Sequence, residues 1–375
     1  MSEKDNKITE SIQLNLFQTS KELNLSSTYE AIPKSINKND SSIIWVNENI
    51  AKPLEKTFLI NNEIFTAEIT PAMIKNKDGE FQSIFPSLRE DRIEYAIISL
   101  ASKQIVDLDT DKKNNRVFIL RTSYYQVQKE IVEAINRREG KNLKPSSSPY
   151  NVSDIKKALE VLKITSIRVN NKNGKKQYLF NRIKDMYLED KKVVIELGSM
   201  VADYINVGDW RATDKDSILA SKGAYELKMR VLLNMNFRYA TENSVYNPSL
   251  DFLIEKLGIS KDTNKRTALQ MVVRILEKMQ EVEKIEVEKK YSGKKLENAI
   301  FKIYPSKEFV SVMINNNKLT KRTKDNEYAL ENEKDIFVKP LKSEFNTELE
   351  YKEAKQKYEQ KKIKKIQTKM KGKFN

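Results

Sequence analysis

The sequence predicts an α+β protein of two similar domains in tandem, each made of three helices and a β-hairpin, with a flexible N-terminal tail and a basic helical C-terminal tail. Three observations carry this. Amphipathic helical patterns alternate with short β-branched runs. One phrase occurs twice: an amphipathic helix, an Ile-x-Val strand (Ile167-Arg168-Val169, then Ile285-Glu286-Val287), a Gly-Lys-Lys loop and an aromatic return strand, with Gly174 and Gly293 lying 119 residues apart. Gly258 separates two helical patterns where a helix-turn-helix carries glycine. Three helices plus a hairpin is the winged-helix arrangement.

In chain order, residues 1–40 are polar, slightly acidic and without periodicity, which predicts a disordered tail. One apolar cluster interrupts it, Ile12-Gln13-Leu14-Asn15-Leu16-Phe17. The first domain is expected over 41–205. From Trp45 to Phe85, runs such as Thr57-Phe58-Leu59-Ile60 alternate with Asn61-Asn62 and Asp78-Gly79, so strands should precede the domain proper. Ile93, Ala96, Ile97 and Leu100 form one helix face. A strand over Arg116–Leu120 and a helix over Ser123–Arg137 follow, and Ser153 is read as capping the third helix. Asn173-Gly174 then predicts a hairpin between Ile167-Arg168-Val169 and Gln177-Tyr178-Leu179-Phe180.

Residues 203–222 are read as a polar connection, and the second domain is expected over 206–315. Its helices cover Tyr225–Tyr239, a stretch capped by Ser249 and ended by Gly258, and about Thr263–Glu281, where Leu269, Val272, Val273 and Leu276 should be buried. Residues 316–375 form the polar, basic tail; Glu344–Lys371 has a helical pattern with almost no apolar stripe.

The chain has 375 residues with 68 Lys and Arg against 53 Asp and Glu, a net charge of +15, which points to a polyanionic partner. Only 14 of the basic residues are Arg, and the Lys, Asn and Ile bias is also what an AT-rich genome writes. Residues 351–375 alone contribute ten Lys against two Glu, or +8, leaving +7 for the remaining 350 residues. Neither Cys nor His is present, which excludes disulfides, Cys/His zinc sites, His-based triads and the two-histidine site of strand-nicking enzymes. There is no Gly-x-x-x-x-Gly-Lys-Ser/Thr loop, and no acid spacing stands out as a metal site. Neither a catalytic centre nor a cofactor is expected. No signal peptide or membrane span is read, so the protein is expected in the cytoplasm.

On the helix from Thr263 the face opposite the core carries Arg266, Gln270 and Arg274, with Asn264, Lys265 and Thr267 at its N-terminal end. Arg, Gln and Asn make bidentate contacts to base edges, so this is the expected recognition surface, against the plainer reading of a solvated helix face. Lys163–Lys184 holds seven basic residues and no acid, and Arg168, Lys172, Lys175 and Lys176 are expected to lie along a phosphate backbone. The second wing offers Lys289, Lys290, Lys294 and Lys295 among Glu286, Glu288 and Glu297, a weaker signal. The alternative for both is a solvated hairpin whose lysines discourage edge pairing.

Gln13-Leu14-Asn15-Leu16-Phe17 resembles the bacterial sliding-clamp-binding pentapeptide Gln-Leu-Ser/Asp-Leu-Phe. Gln13, Leu14, Leu16 and Phe17 would then seat in a preformed pocket, the alternative being an amphipathic helix packed back on the domain. Over about residues 55–315 the pattern is similar to the iteron-binding initiators of theta-type plasmid replication. Phe85–Leu100 is similar to the opening helix of their first domain, and Val117–Tyr125 to the strand and helix start that follow, while 136–150 is longer than their pattern. One branch of broad-host-range initiators carries a similar pentapeptide. The resemblance implies a non-enzymatic protein that binds direct repeats of double-stranded origin DNA as monomers, or pairs with itself as a dimer. It would open an adjoining AT-rich segment and recruit the host's clamp and its replicative helicase or helicase loader. The second domain would make most base contacts, and the first would grip the adjoining repeat or form the dimer. The alternatives are a winged-helix transcriptional regulator and an RNA- or single-strand-binding phage replication protein.

Overall fold

The computed structural model describes residues 22–321 apart from 38–41, 61–62, 103–118, 173, 175, 190–191, 207–208 and 261. Gln13, Leu14, Leu16, Phe17, Lys175 and the lysine-rich C-terminal tail lie outside the described residues.

Strand β1 (Glu22–Leu25) and the short helix α1 (Ser27–Ala31) come first, followed by two hairpins, β2 (Leu54–Ile60) with β3 (Glu63–Thr70) and β4 (Ala72–Lys75) with β5 (Phe81–Ile84). The second hairpin turns at Gly79, whose φ of +84° a residue with a Cβ adopts only with strain. Next are α2 (Leu88–Ala101), β6 (Ile119–Ser123), α3 (Tyr124–Glu139) and α4 (Val152–Ile164), then β7 (Ser166–Asn171), β8 (Gln177–Asn181), β9 (Ile183–Glu189) and β10 (Lys192–Leu197). A junction of α5 (Ser199–Asn206), β11 (Arg211–Asp214) and α6 (Lys215–Leu219) leads to α7 (Ala224–Asn236), α8 (Leu250–Leu257), α9 (Lys265–Glu277), β12 (Val282–Ser292) and β13 (Lys295–Pro305). Residues 307–321 are helical, so the second domain runs past its expected end at 315. Buried Phe309, Val310 and Met313 hold that helix to the core.

Two winged helices are present: α2, α3, α4 with β7–β8, and α7, α8, α9 with β12–β13. Local chemistry sets their helix ends. Ser249 Oγ accepts from Phe252 N at the start of α8, and Gly258 ends it at φ +69°. The cap of α4 is Asn151 and not Ser153, because Asn151 and Asp154 stand three apart and satisfy each other's backbone N–H in a capping box.

Three expectations are corrected by long-range pairing. Residues 22–37 are no tail: β1 pairs antiparallel with β11, and Leu23, Leu25 and Tyr29 are buried. β2 and β3 do not precede the first domain but extend its wing into a four-stranded sheet of order β2-β3-β7-β8. Residues 203–222 are no linker, since Trp210, Ile218 and Leu219 belong to the first core and Ala212 is buried. A further sheet of order β6-β10-β9 completes the first half.

Helix α7 buries Leu227 and every residue from Met229 to Asn234, Arg230 and Asn234 included, so it is enclosed by protein on several faces. Leu227 and Val231 belong to the first core, whereas Met229, Leu232 and Leu233 belong to the second. The two winged helices therefore meet along a shared helix. Ion pairs close the junction: Arg138 at the end of α3 reaches Glu281 at 2.6 Å, and Arg230 on α7 reaches the same carboxylate at 3.5 Å.

Candidate nucleic-acid interface

The interface is built on α8, the turn and α9. Leu250, Leu253 and Leu257 of α8 pack with Ala268, Leu269, Val272 and Leu276 of α9, while Val273 is only partly buried. Committing that stripe to the core turns Arg266, Thr267, Gln270 and Arg274 outward, and all four are exposed. Neither Arg266 nor Arg274 has an ion pair among the described residues, so the guanidiniums are not neutralised by neighbouring carboxylates.

The N-terminal end differs from expectation in two ways. Asn264 is the cap of α9: its side-chain oxygen accepts from Arg266 N at 2.8 Å, which commits that atom to the helix start. Lys265 is only partly exposed. It pairs with Asp251 of α8 at 2.7 Å and donates to the Glu297 carbonyl in β13, so it fastens α9 to α8 and to the wing. Arg266 Nη2 donates to the Lys294 carbonyl at 2.5 Å, which brings the start of α9 and the wing tip to one place.

The two wings differ in how many of their cations are answered by an acid. In the first, Arg168 faces Glu68 at 3.3 Å and Lys176 faces Glu63 at 3.0 Å, both acids coming from the added strand β3. Hydrogen bonds from Asn171 and Lys176 hold the Glu63 carboxyl below the usual range. Lys163 and Lys184 pair with Asp185 and Glu196, and Arg182 is buried against Asp91 and Glu94. Of the named cations of this wing, Lys172 alone among the described residues stays exposed without an ion pair. In the second wing the tip turns at Gly293 with φ +59°, and Lys289, Lys294 and Lys295 are exposed with no ion pair among the described residues. Lys290 meets Glu297 at 3.1 Å. The mixed composition of the second wing hid this, because Glu286 and Glu288 are spent on Lys284 and Lys302 away from the tip.

No protein-family model matches the chain, and no curated protein does. Among solved structures it is similar to domains 2 and 3 of RctB, at 10% identity over 74% of this chain and 97% of that one, with a TM-score of 0.44. A second RctB structure of the same domains, residues 155–483, gives 11% identity over 73% and 98%, with a TM-score of 0.38. The Pi initiator protein, solved in complex with iteron DNA, gives 14% identity over 59% and 91%, with a TM-score of 0.39. At this distance the functional reading rests on the chain's own residues.

Missed in the sequence were the partners: Asp251 under Lys265, Glu63 and Glu68 beside the first wing, and the Arg266 contact to the wing tip. Both acids lie on β3, and nothing local in the sequence tells which strand lies next to it. Among the described residues no helix is long and apolar enough to cross a membrane.

Proposed function

We propose that this chain is a replication initiator that binds direct repeats of double-stranded origin DNA and acts by binding alone, without catalysing a reaction. The observation that carries the proposal is the joint surface of α9 and the second wing tip. There Arg266, Gln270 and Arg274 stand ready for base edges, and Lys289, Lys294 and Lys295 for phosphates. The first winged helix, with its wing largely neutralised, is the partner in gripping an adjoining repeat or a second copy. The clamp-type pentapeptide favours an initiator over a transcriptional regulator, which has no need of a sliding clamp, and the helicase or its loader would be recruited from the same assembly.

Repeats selected from a random duplex pool test the division of labour. Arg266→Ala and Arg274→Ala should each lose about 1–3 kcal/mol for the selected sequence and relax preference at single positions. Lys294→Ala and Lys295→Ala should weaken selected and random duplexes alike and flatten the salt dependence. Equal losses on both kinds of DNA from all four changes would overturn the reading. Purified bacterial clamp should bind the full chain and release the Leu16→Ala, Phe17→Ala double variant; a wild type that fails to bind leaves the regulator as the better account.

A further inference from the structure

One pair of cations has no acid to answer it. Arg211 opens β11, and Arg238 follows α7. Asn317 holds both, accepting from Arg211 Nη2 at 2.6 Å and donating to the Arg238 carbonyl at 2.8 Å. Neither arginine has an ion pair among the described residues, and Arg211 Nε is enclosed without a hydrogen-bond partner. Partial burial, then the nearby Arg238 charge, lowers the Arg211 pKa from its ordinary value. Several other arginines are neutralised, Arg137 by Asp216, Arg138 by Glu281, Arg182 by Glu94 and Arg230 by Glu226, whereas Arg92 is buried without an ion pair among the described residues. Asn317 thus brings the partly buried Arg211 guanidinium beside the exposed Arg238 segment, and an anion placed there would meet a guanidinium that no carboxylate among the described residues answers.

An aromatic ring stands beside the pair. Tyr239 is 71% exposed, and the Arg238 guanidinium lies 4.8 Å from its ring centroid, so the other face of the ring is open. Guanidinium forks match phosphate oxygens, and an open phenol face stacks on any base. We propose that Arg211, Arg238 and Tyr239 form a nucleotide site, with the phosphate between the guanidiniums and the base on Tyr239.

This site is separate from the duplex-facing surface. Phe237, one residue before Arg238, stacks on Tyr246 at 5.6 Å between centroids, and Tyr246 bridges to Ile303. Ile303 lies eight residues along β13 from Lys295, or ~26 Å at the usual strand rise. A nucleotide, free or within a single strand, would therefore bind at the opposite end of the hairpin from the wing tip.

Trp210 adjoins Arg211 and is one of only two tryptophans, so its fluorescence in a Trp45→Phe background reports occupancy. Titrating the full chain with ADP and with a short oligothymidine should give saturable quenching. Arg238→Gln and Tyr239→Ala, both at exposed positions, should each weaken it about tenfold, and Lys294→Ala should leave it unchanged. Saturation by both ligands assigns a free nucleotide, and saturation by the oligonucleotide alone assigns a single strand. No saturation by either, variants that bind like wild type, or tighter binding of polyglutamate would each overturn the proposal.

Discussion

Replacing Arg182 by Met should cost about 3–5 kcal/mol of folding stability and lower the thermal midpoint by on the order of 10 °C. The guanidinium is fully enclosed at the turn between β8 and β9, where it meets Asp91 at 2.8 Å and also pairs with Glu94. Methionine fills much of the space but leaves both carboxylates of α2 without their cation. Tyr29 OH donates to Glu94 and Ser35 Oγ to Asp91 at 2.5 Å, so the same node holds residues 26–37 against α2. The pH dependence gives the sign. In the wild type burial would raise the Glu94 carboxyl, but the Arg182 charge, with Lys34 and the hydrogen bonds from Arg182 and Tyr29, overcomes it and holds the pKa below the usual value. Its contribution is therefore present above the unfolded value of about 4.3 and is lost as pH falls through the lower folded one. With Met at 182 burial acts unopposed by that charge and Glu94 takes up a proton on folding, so the deficit should be smaller at pH 5 than at pH 8. Urea denaturation at the two pH values checks this, and adding Glu94→Gln should recover part of the loss. A deficit independent of pH and unrelieved by Glu94→Gln would assign Arg182 a packing role only.

Arg182 also shows where the sequence stops being legible. It sits between Asn181 and Ile183 in a segment of seven bases and no acid, and local reading makes it a wing cation. Its carboxylate lies 88 residues upstream on α2. The legible features are those settled within one turn or one hairpin: the Ser249 cap, the Gly258 terminus, the outward stripe of α9 and both Gly-Lys-Lys hairpins. The illegible ones depend on which distant strand arrives next. β1 meets β11 across the chain, and β3 brings Glu63 and Glu68 to a wing that looks purely basic. The connection around Trp210 misleads differently. Asp209-Trp210-Arg211-Ala212-Thr213-Asp214 is polar in composition, yet Trp210, Ala212 and Thr213 are all buried, so composition alone hid a piece of the core. For the interface, the exposed residues of α9 were visible in its periodicity, whereas the loss of Lys265 to Asp251 needed the angle between α8 and α9.

Glu281 should prove the second costly position, and for a reason that separates buried from exposed ion pairs. It is 3% exposed at the join between α9 and β12, where one oxygen serves Arg138 from the first winged helix and Arg230 from the shared helix α7. Arg138 also reaches Glu308 at 3.3 Å, but that carboxylate is 67% exposed. Solvent screens the Glu308 pair, so Glu308→Gln should change stability by less than about 0.5 kcal/mol. Glu281→Leu removes the buried anion the two guanidiniums share, leaving Arg230 with Glu226 alone and Arg138 with Asp214 at 3.9 Å and the exposed Glu308, at a cost of about 3 kcal/mol. Because Arg138 belongs to the first half and Glu281 to the second, a double-mutant cycle of Arg138→Met and Glu281→Leu reads the coupling between the halves directly. The double variant should lose less than the sum of the single ones, since removing both partners leaves fewer unpaired buried charges. Strict additivity in urea denaturation would mean that the shared apolar faces of α7, and not this ion cluster, fix the second winged helix against the first.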